Sequence, residues 1–98
     1  MANPIPITQY EITYSSNSFS PRIGLQNAPN HFVGQLVFHP NGAPLPQDAV
    51  VNGIANLHYH LDDFANVLEV LRGPKPVFLV FNGVGPGFEN AIQTGLIN

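Results

Sequence analysis

Two stretches of the chain, residues 8–14 and 31–39, alternate between apolar and polar positions with a period of two. In the first stretch one face carries Tyr10, Ile12 and Tyr14, while polar side chains occupy the other face. A period of two places successive side chains on opposite faces of a sheet. Both stretches are therefore predicted to be strands with one buried face.

The hydrophobic period changes to that of a helix in residues 61–72. Apolar side chains recur there at three- and four-residue spacing, at Leu61, Phe64, Ala65, Leu68 and Leu71. Asp62 and Asp63 lie where a helix N-terminus favours negative charge, and the Arg-Gly-Pro sequence at 72–74 is a stop signal. The pattern predicts one helix over residues 61–72, with Leu68 buried against the sheet.

Three further strands are predicted from apolar runs that have turn-forming residues at their ends. Residues 49–60 form a strand pattern with a bulge or bend at Asn52 and Gly53. Residues 76–81 are apolar on both faces, which is typical of a central strand covered on both sides. Residues 90–97 are predicted to return as the last strand of a hairpin.

The order of these elements is β-β-β-α-β-β. It predicts an α+β fold, with a small, mostly antiparallel β-sheet of about five strands and one helix packed on it. Residues 1–6 and 15–30 are rich in Pro, Ser and Asn, and we expect them to be irregular apart from a short extended piece near Ile23. Neither a repeat nor a long linker divides residues 1–98, so we expect a single small domain.

The charge content changes the functional picture. Only 9% of the residues are charged, three of them basic, and the net charge is -3. Nucleic-acid binding draws on many Lys and Arg contacts to phosphate, so we expect no nucleic-acid partner. A surface so poor in charge provides little repulsion between copies of the chain. Self-association is the expected consequence.

The sequence also bears on location and redox chemistry. No apolar run approaches the roughly 18 residues that a membrane span needs, and the N-terminus lacks the pattern of a signal peptide. We therefore expect a soluble protein, no membrane partner and, by default, a cytoplasmic location. The absence of cysteine excludes disulfides and thiolate metal sites.

One pair of histidines suggests metal chemistry. His58 and His60 are two residues apart on a strand and so point to the same face. With Asp63 as a third ligand, they could hold zinc or a similar divalent ion and leave a position open for water. The alternative is that both histidines hydrogen-bond to backbone or water, while an aspartate caps the helix. Other candidates to complete the ligand set are Asp62, His31 and His39.

Catalysis by side chains alone has little support. The chain has no cysteine and no Gly-x-Ser-x-Gly motif, and its serines all lie in residues 15–20. The Gly-rich segment 83–87 lacks the Lys and Ser/Thr of a phosphate-binding loop. We interpret this segment as a hairpin tip that could act as an exposed binding loop presenting Val84 and Phe88.

These observations leave three functional hypotheses. The first is a non-catalytic interaction or structural domain that works as a homo-oligomer, most simply a dimer, because one helix cannot cover both faces of strand 76–81. The second is a divalent-metal-binding protein or small metalloenzyme that uses His58, His60 and Asp63. The third is a protein with a pocket for a small neutral ligand, lined by Tyr and Phe. Outside the second hypothesis we expect no cofactor.

Overall fold

The structure, a computed structural model, describes residues 4–95. Within these residues the chain forms eight strands in two sheets, one 3₁₀ turn and one α-helix. The strands are β1 (Ile5–Ile7), β2 (Gln9–Thr13), β3 (Arg22–Ala28), β4 (His31–His39), β5 (Ala49–Val51), β6 (Ile54–His60), β7 (Val77–Val80) and β8 (Ala91–Thr94). The 3₁₀ turn (Leu61–Asp63) leads directly into the helix α1 (Phe64–Arg72).

The larger sheet has five strands in the order β2-β3-β4-β6-β5. Its neighbouring strands are antiparallel except β4 and β6, which run parallel with Leu36 opposite Leu57. β5 and β6 are joined at Asn52 and Gly53, whose φ angles of 53° and 80° are both left-handed. Asn-Gly is the pair that favours such a turn. The bend predicted in residues 49–60 is therefore the turn of a β-hairpin.

The smaller sheet has three antiparallel strands in the order β1-β7-β8. The apolar run at residues 76–81 predicts a central strand, and β7 is the centre of this sheet. Thr8 lies between β1 and β2, and its backbone N–H donates to the carbonyl oxygen of Gln26 at 2.8 Å. The chain therefore passes from the small sheet to the edge of the large one at Thr8.

One hydrophobic core joins the two sheets and the helix. It comprises Ile7, Ile23, Leu25, Val33, Leu36, Phe38, Ala55, Leu57, Val67, Leu71, Val77 and Leu79. Phe38 of the large sheet contacts Phe64 of α1 edge-to-face, with ring centroids 4.7 Å apart, and stacks on Tyr59 at 5.6 Å. Such aromatic contacts add to the free energy of apolar burial. They hold α1 against the inner face of the large sheet.

The predicted fold class is confirmed: the chain is a small α+β fold with mostly antiparallel strands and, in residues 4–95, a single helix. Parts of the two segments expected to be irregular form strands instead, namely β1 at the end of the first and β3 in the second, where only a short extended piece is predicted. β1 includes Pro6, which is tolerated because β1 is an edge strand. β3 pairs with β2 and β4 on its two sides, and Pro21 and Pro29 lie just outside it.

The helix differs from its predicted form in two respects. Its first turn is 3₁₀, and α1 proper begins at Phe64. The buried side chains of α1 are Val67 and Leu71, whereas Leu68 is half-buried and Ala65 is exposed. The side of α1 that faces the core is therefore rotated relative to the prediction, because Val67 packs inward between the two sheets. For the last strand, β8 ends at Thr94, and residues 96–97 of the predicted strand lie outside the described residues.

Candidate functional site

Three of the four histidines of the chain lie together on the outer face of the large sheet. β4 and β6 pair in parallel with Val37 opposite His58 and His39 opposite His60. Directly opposed residues point to the same face of a sheet, and so do residues two apart on one strand. His39, His58 and His60 are therefore neighbours at the carboxyl ends of the two parallel strands. This end of a parallel pair is where ligands bind in many sheets.

The rings of His39 and His58 contact each other. The Nε2 atom of His39 lies 2.9 Å from the Nδ1 atom of His58, and the ring centroids are 5.0 Å apart with a 40° tilt. At this distance one ring donates its N–H and the other accepts it, so at least one nitrogen of the pair is unprotonated. Burial and the neighbouring His39 lower the pKa of His58, while Asp48 acts in the opposite direction.

His60 has a different partner. Its Nε2 atom lies 2.7 Å from the carbonyl oxygen of Ala43, which accepts the N–H of the ring. Two reciprocal hydrogen bonds between Asn41 and Asp62 hold the same loop. Asn41 Nδ2 donates to Asp62 Oδ1 at 2.9 Å, and the backbone N–H of Asp62 donates to Asn41 Oδ1 at 2.8 Å. The loop that follows β4 is thus fastened to the end of β6 and to the 3₁₀ turn.

Asp48 and Asn90 connect this loop to the loop that follows β7. Asp48 Oδ1 accepts the backbone N–H of His58 at 2.9 Å, and its Oδ2 accepts Asn90 Nδ2 at 3.2 Å. Asn90 Oδ1 accepts the backbone N–H groups of Asn82 and Gly83 at 2.7 and 3.3 Å, and Nδ2 donates to the carbonyl oxygen of Gly83 at 2.9 Å. Side-chain hydrogen bonds of this kind fix the ends of both loops.

A groove of about 550 Å³ lies between these two loops, and we call it the histidine groove. Its apolar lining consists of Leu45, Pro46, Pro86 and Phe88, and its polar lining includes Gln47, Asp48 and His58. A groove of this size falls in the range of roughly 300 to 1,000 Å³ that small-molecule sites occupy. Val84 and Phe88 are 52% and 53% exposed, as the interpretation of segment 83–87 as a loop tip implies.

The residues of the metal hypothesis, His58, His60 and Asp63, occupy different surroundings. His58 and His60 share the outer face, as their spacing predicts, but their rings contact His39 and Ala43 respectively. Asp63 lines a separate cavity of about 300 Å³ together with Tyr59, which points to the opposite face of β6. Among residues 4–95, no three His, Asp or Glu side chains form a group suited to a metal ion. The zinc hypothesis therefore remains a prediction.

The contact between His39 and His58 and the bracing by Asp48 and Asn90 have no signal in the sequence pattern. His39 was one of several candidates for an additional ligand, and no spacing rule distinguishes it. Its position beside His58 depends on β4 and β6 pairing in parallel, although the residues between them include β5. That pairing is a tertiary property, and the period of the sequence does not encode it.

The outer face of the small sheet is a second distinctive surface. Residues that share this face are Pro6, Phe78, Val80, Ala91 and Gln93, since Pro6 pairs with Phe78, Phe78 with Gln93 and Val80 with Ala91. None of these five side chains is charged. In β7 the alternate residues Val77 and Leu79 are 1% and 0% exposed, whereas Phe78 and Val80 are only half-buried. We call this surface the small-sheet face.

The protein is a small α+β domain whose described residues form two sheets and one helix. Its two distinctive surfaces are the histidine groove and the small-sheet face. Comparison with known proteins gives no match to a family model, to a curated protein or to a solved structure. Within the described part of the chain, no helix is both long and apolar enough to cross a membrane. Any assignment of function therefore rests on the two surfaces themselves.

Proposed function

We propose that the protein is a non-catalytic interaction domain that works as a homodimer joined through the small-sheet face. The observation that carries this proposal is a sheet face of five uncharged residues that points away from the core. Phe78 and Val80 supply its largest apolar side chains, and Pro6 and Ala91 extend it across the neighbouring strands.

Packing energetics favour a partner for this face. Apolar area removed from water contributes about 25 cal/mol per Å² to stability. Phe78 and Val80 remain partly exposed in the isolated chain, so covering them with another surface gains further free energy. Two sheets can pack face to face at a separation of about 10 Å with their side chains interdigitated. The small-sheet face has the composition that such packing requires.

A second copy of the chain is the partner that the charges favour. In a two-fold interface the same surface meets itself, so any charge on it would lie near its own copy. The small-sheet face carries no charge, and this repulsion is absent. By contrast, the outer face of the large sheet carries the charged residues Glu11 and Arg22. The net charge of -3 adds little long-range repulsion between copies.

Sedimentation equilibrium of the full chain at tens of micromolar tests the dimer, since a dissociation constant of about 1 μM would populate it at such concentrations. The variant Gln93→Lys places two positive charges in a two-fold interface, at a residue that is exposed in the isolated chain. We expect it to weaken dimerisation by about tenfold or more. The matched control Gln9→Lys, on exposed edge strand β2, should dimerise like the wild type.

Salt provides an independent readout of the same interface. Raising ionic strength to about 1 M shortens the screening length to about 3 Å and weakens ionic contacts. An apolar interface should keep its dissociation constant within a few-fold under this change. A wild-type chain that sediments strictly as a monomer would defeat the proposal. If the chain formed a complex only with a different protein, the small-sheet face would be the interface with that protein and not with a second copy.

A further inference from the structure

The rings of His39 and His58 bring two potential metal-ligand nitrogens into direct contact. His39 Nε2 and His58 Nδ1 lie 2.9 Å apart on strands that pair directly with each other. We propose that these two nitrogens bind one divalent transition ion of the kind that prefers imidazole, such as Zn²⁺. Water or a donor atom of a small ligand in the histidine groove would complete the coordination. This proposal does not depend on the homodimer.

The distance between the nitrogens is close to that of a metal site. Zn–N bonds are about 2.0 to 2.1 Å long, so two ligands of a tetrahedral ion lie roughly 3.3 to 3.4 Å apart. The observed 2.9 Å therefore needs to open by only about half an ångström. The hydrogen of the N–H···N bond moves to the other nitrogen of its own ring, a change of tautomer, and both rings turn so that their lone pairs converge on the ion. Because β4 and β6 hold both residues in a paired sheet, the ion would enter a site that is already assembled.

The surroundings suit a cation. The carboxylate of Asp48 accepts the backbone N–H of His58 at 2.9 Å, which keeps a negative charge beside the pair. His58 also lines the histidine groove of about 550 Å³, whereas His39 does not, so further ligands would reach the ion from the His58 side of the pair. Only two ligands come from the protein, so the site should bind more weakly than structural zinc sites with four ligands.

This ligand pair differs from the one that the sequence suggests. The ring of His60 donates to the carbonyl oxygen of Ala43 at 2.7 Å, and Asp63 lies beside Tyr59 in another cavity. Recruiting either residue would break that contact or require a larger movement. His39 replaces both, because its ring already faces that of His58.

Isothermal titration calorimetry of the full chain with ZnCl₂ at neutral pH tests the site, with MgCl₂ as the ion that prefers oxygen ligands. We expect one Zn²⁺ per chain and no binding of Mg²⁺. His39→Gln and His58→Gln should each weaken Zn²⁺ binding by about tenfold or more. The matched control His31→Gln, at an exposed position on the same strand as His39, should change it by less than about twofold.

A second measurement uses the wild-type chain and so does not depend on variants folding. In a ¹⁵N spectrum of the imidazoles, adding Zn²⁺ should shift Nε2 of His39 and Nδ1 of His58 most, with smaller changes at His31 and His60. Absence of Zn²⁺ binding at about 1 mM, an affinity worth only about 4 kcal/mol, would overturn the proposal. Binding that survives His39→Gln but is lost in His60→Gln would overturn it in favour of the site suggested by the sequence.

Discussion

Leu79 of β7 packs directly against the backbone of Gly34 in β4. A Cβ atom at Gly34 would lie 2.7 Å from Leu79 Cδ2 and 3.4 Å from the carbonyl oxygen of Ala55. Leu79 is 0% exposed, and Gly34 is also buried. The glycine is therefore a point of close approach between the small sheet and the large one, and its missing side chain allows that approach.

Gly34→Ala should destabilise the fold. The added methyl group would force Leu79 or the sheets to shift, and overpacking of this kind costs about 1 to 3 kcal/mol. The free energy of unfolding in urea measures the loss. Gly87→Ala is the matched control, because no atom lies within 4 Å of its Cβ position, and its stability should change by less than about 0.5 kcal/mol. Equal stability of the two variants would contradict the close contact between the sheets.

Local sequence patterns predicted the elements whose burial follows a simple period. β2, β4, β7 and the helical segment were found because each has an apolar side or a continuous apolar run. Of β3 the sequence predicts only a short extended piece near Ile23, although Ile23 and Leu25 are fully buried, because the polar and Pro-rich residues around them resemble a loop. Its stability comes from pairing with strands on both sides, a tertiary effect that overrides local propensity.

The candidate site was predictable only in part. The spacing of His58 and His60 correctly places both on one face of β6. The contact with His39 follows from the parallel register of β4 and β6, and the bond between Asp48 and Asn90 joins residues 42 apart in sequence. Neither relationship leaves a periodic signal, because each depends on how distant segments pair in space.

Leu71 should contribute more to stability than Leu68, the other leucine of α1. It is 0% exposed in the core, so Leu71→Ala should cost about 2 to 5 kcal/mol through lost burial and the cavity left behind. Leu68→Ala should cost less, since Leu68 is half-buried. Leu45→Ala, at a position 41% exposed, is the control and should cost about 0.5 kcal/mol. Thermal unfolding of the three variants gives the order, and a larger loss at Leu68 would show that α1 is rotated.

Asn90→Ala should loosen the loop after β7. Its side chain accepts the backbone N–H groups of Asn82 and Gly83 and donates to Asp48 and to the carbonyl oxygen of Gly83. The substitution therefore removes one hydrogen-bond partner from each of four polar groups. We expect a loss of about 1 to 3 kcal/mol and faster hydrogen exchange at the amide of Gly83. Asn17→Ala removes one exposed hydrogen bond to Phe19 and should have a much smaller effect. Unchanged exchange at Gly83 would show that Asn90 does not hold the loop.

Tyr59 should make the fold sensitive to alkaline pH. Burial, with smaller contributions from the charges of Asp48 and Asp63, raises the pKa of Tyr59 to about 12. In the unfolded chain a tyrosine has a pKa of about 10, so the fold favours the neutral phenol. The stability from this preference is complete below about pH 10 and is lost as the pH rises from about 10 to about 12. The loss is at most about 2 to 3 kcal/mol, since each pKa unit corresponds to about 1.4 kcal/mol.

Tyr59→Phe isolates this effect, because it keeps the ring that stacks on Phe38 and removes only the hydroxyl group. The variant should lose less stability than the wild type between about pH 9 and pH 12, measured by urea unfolding at a series of pH values. Titration of the other groups is common to both proteins and cancels in the difference. Tyr14→Phe, at a position 66% exposed, should follow the wild type. If Tyr59→Phe followed the wild type as well, the phenol of Tyr59 would have to ionise as easily in the fold as in the unfolded chain.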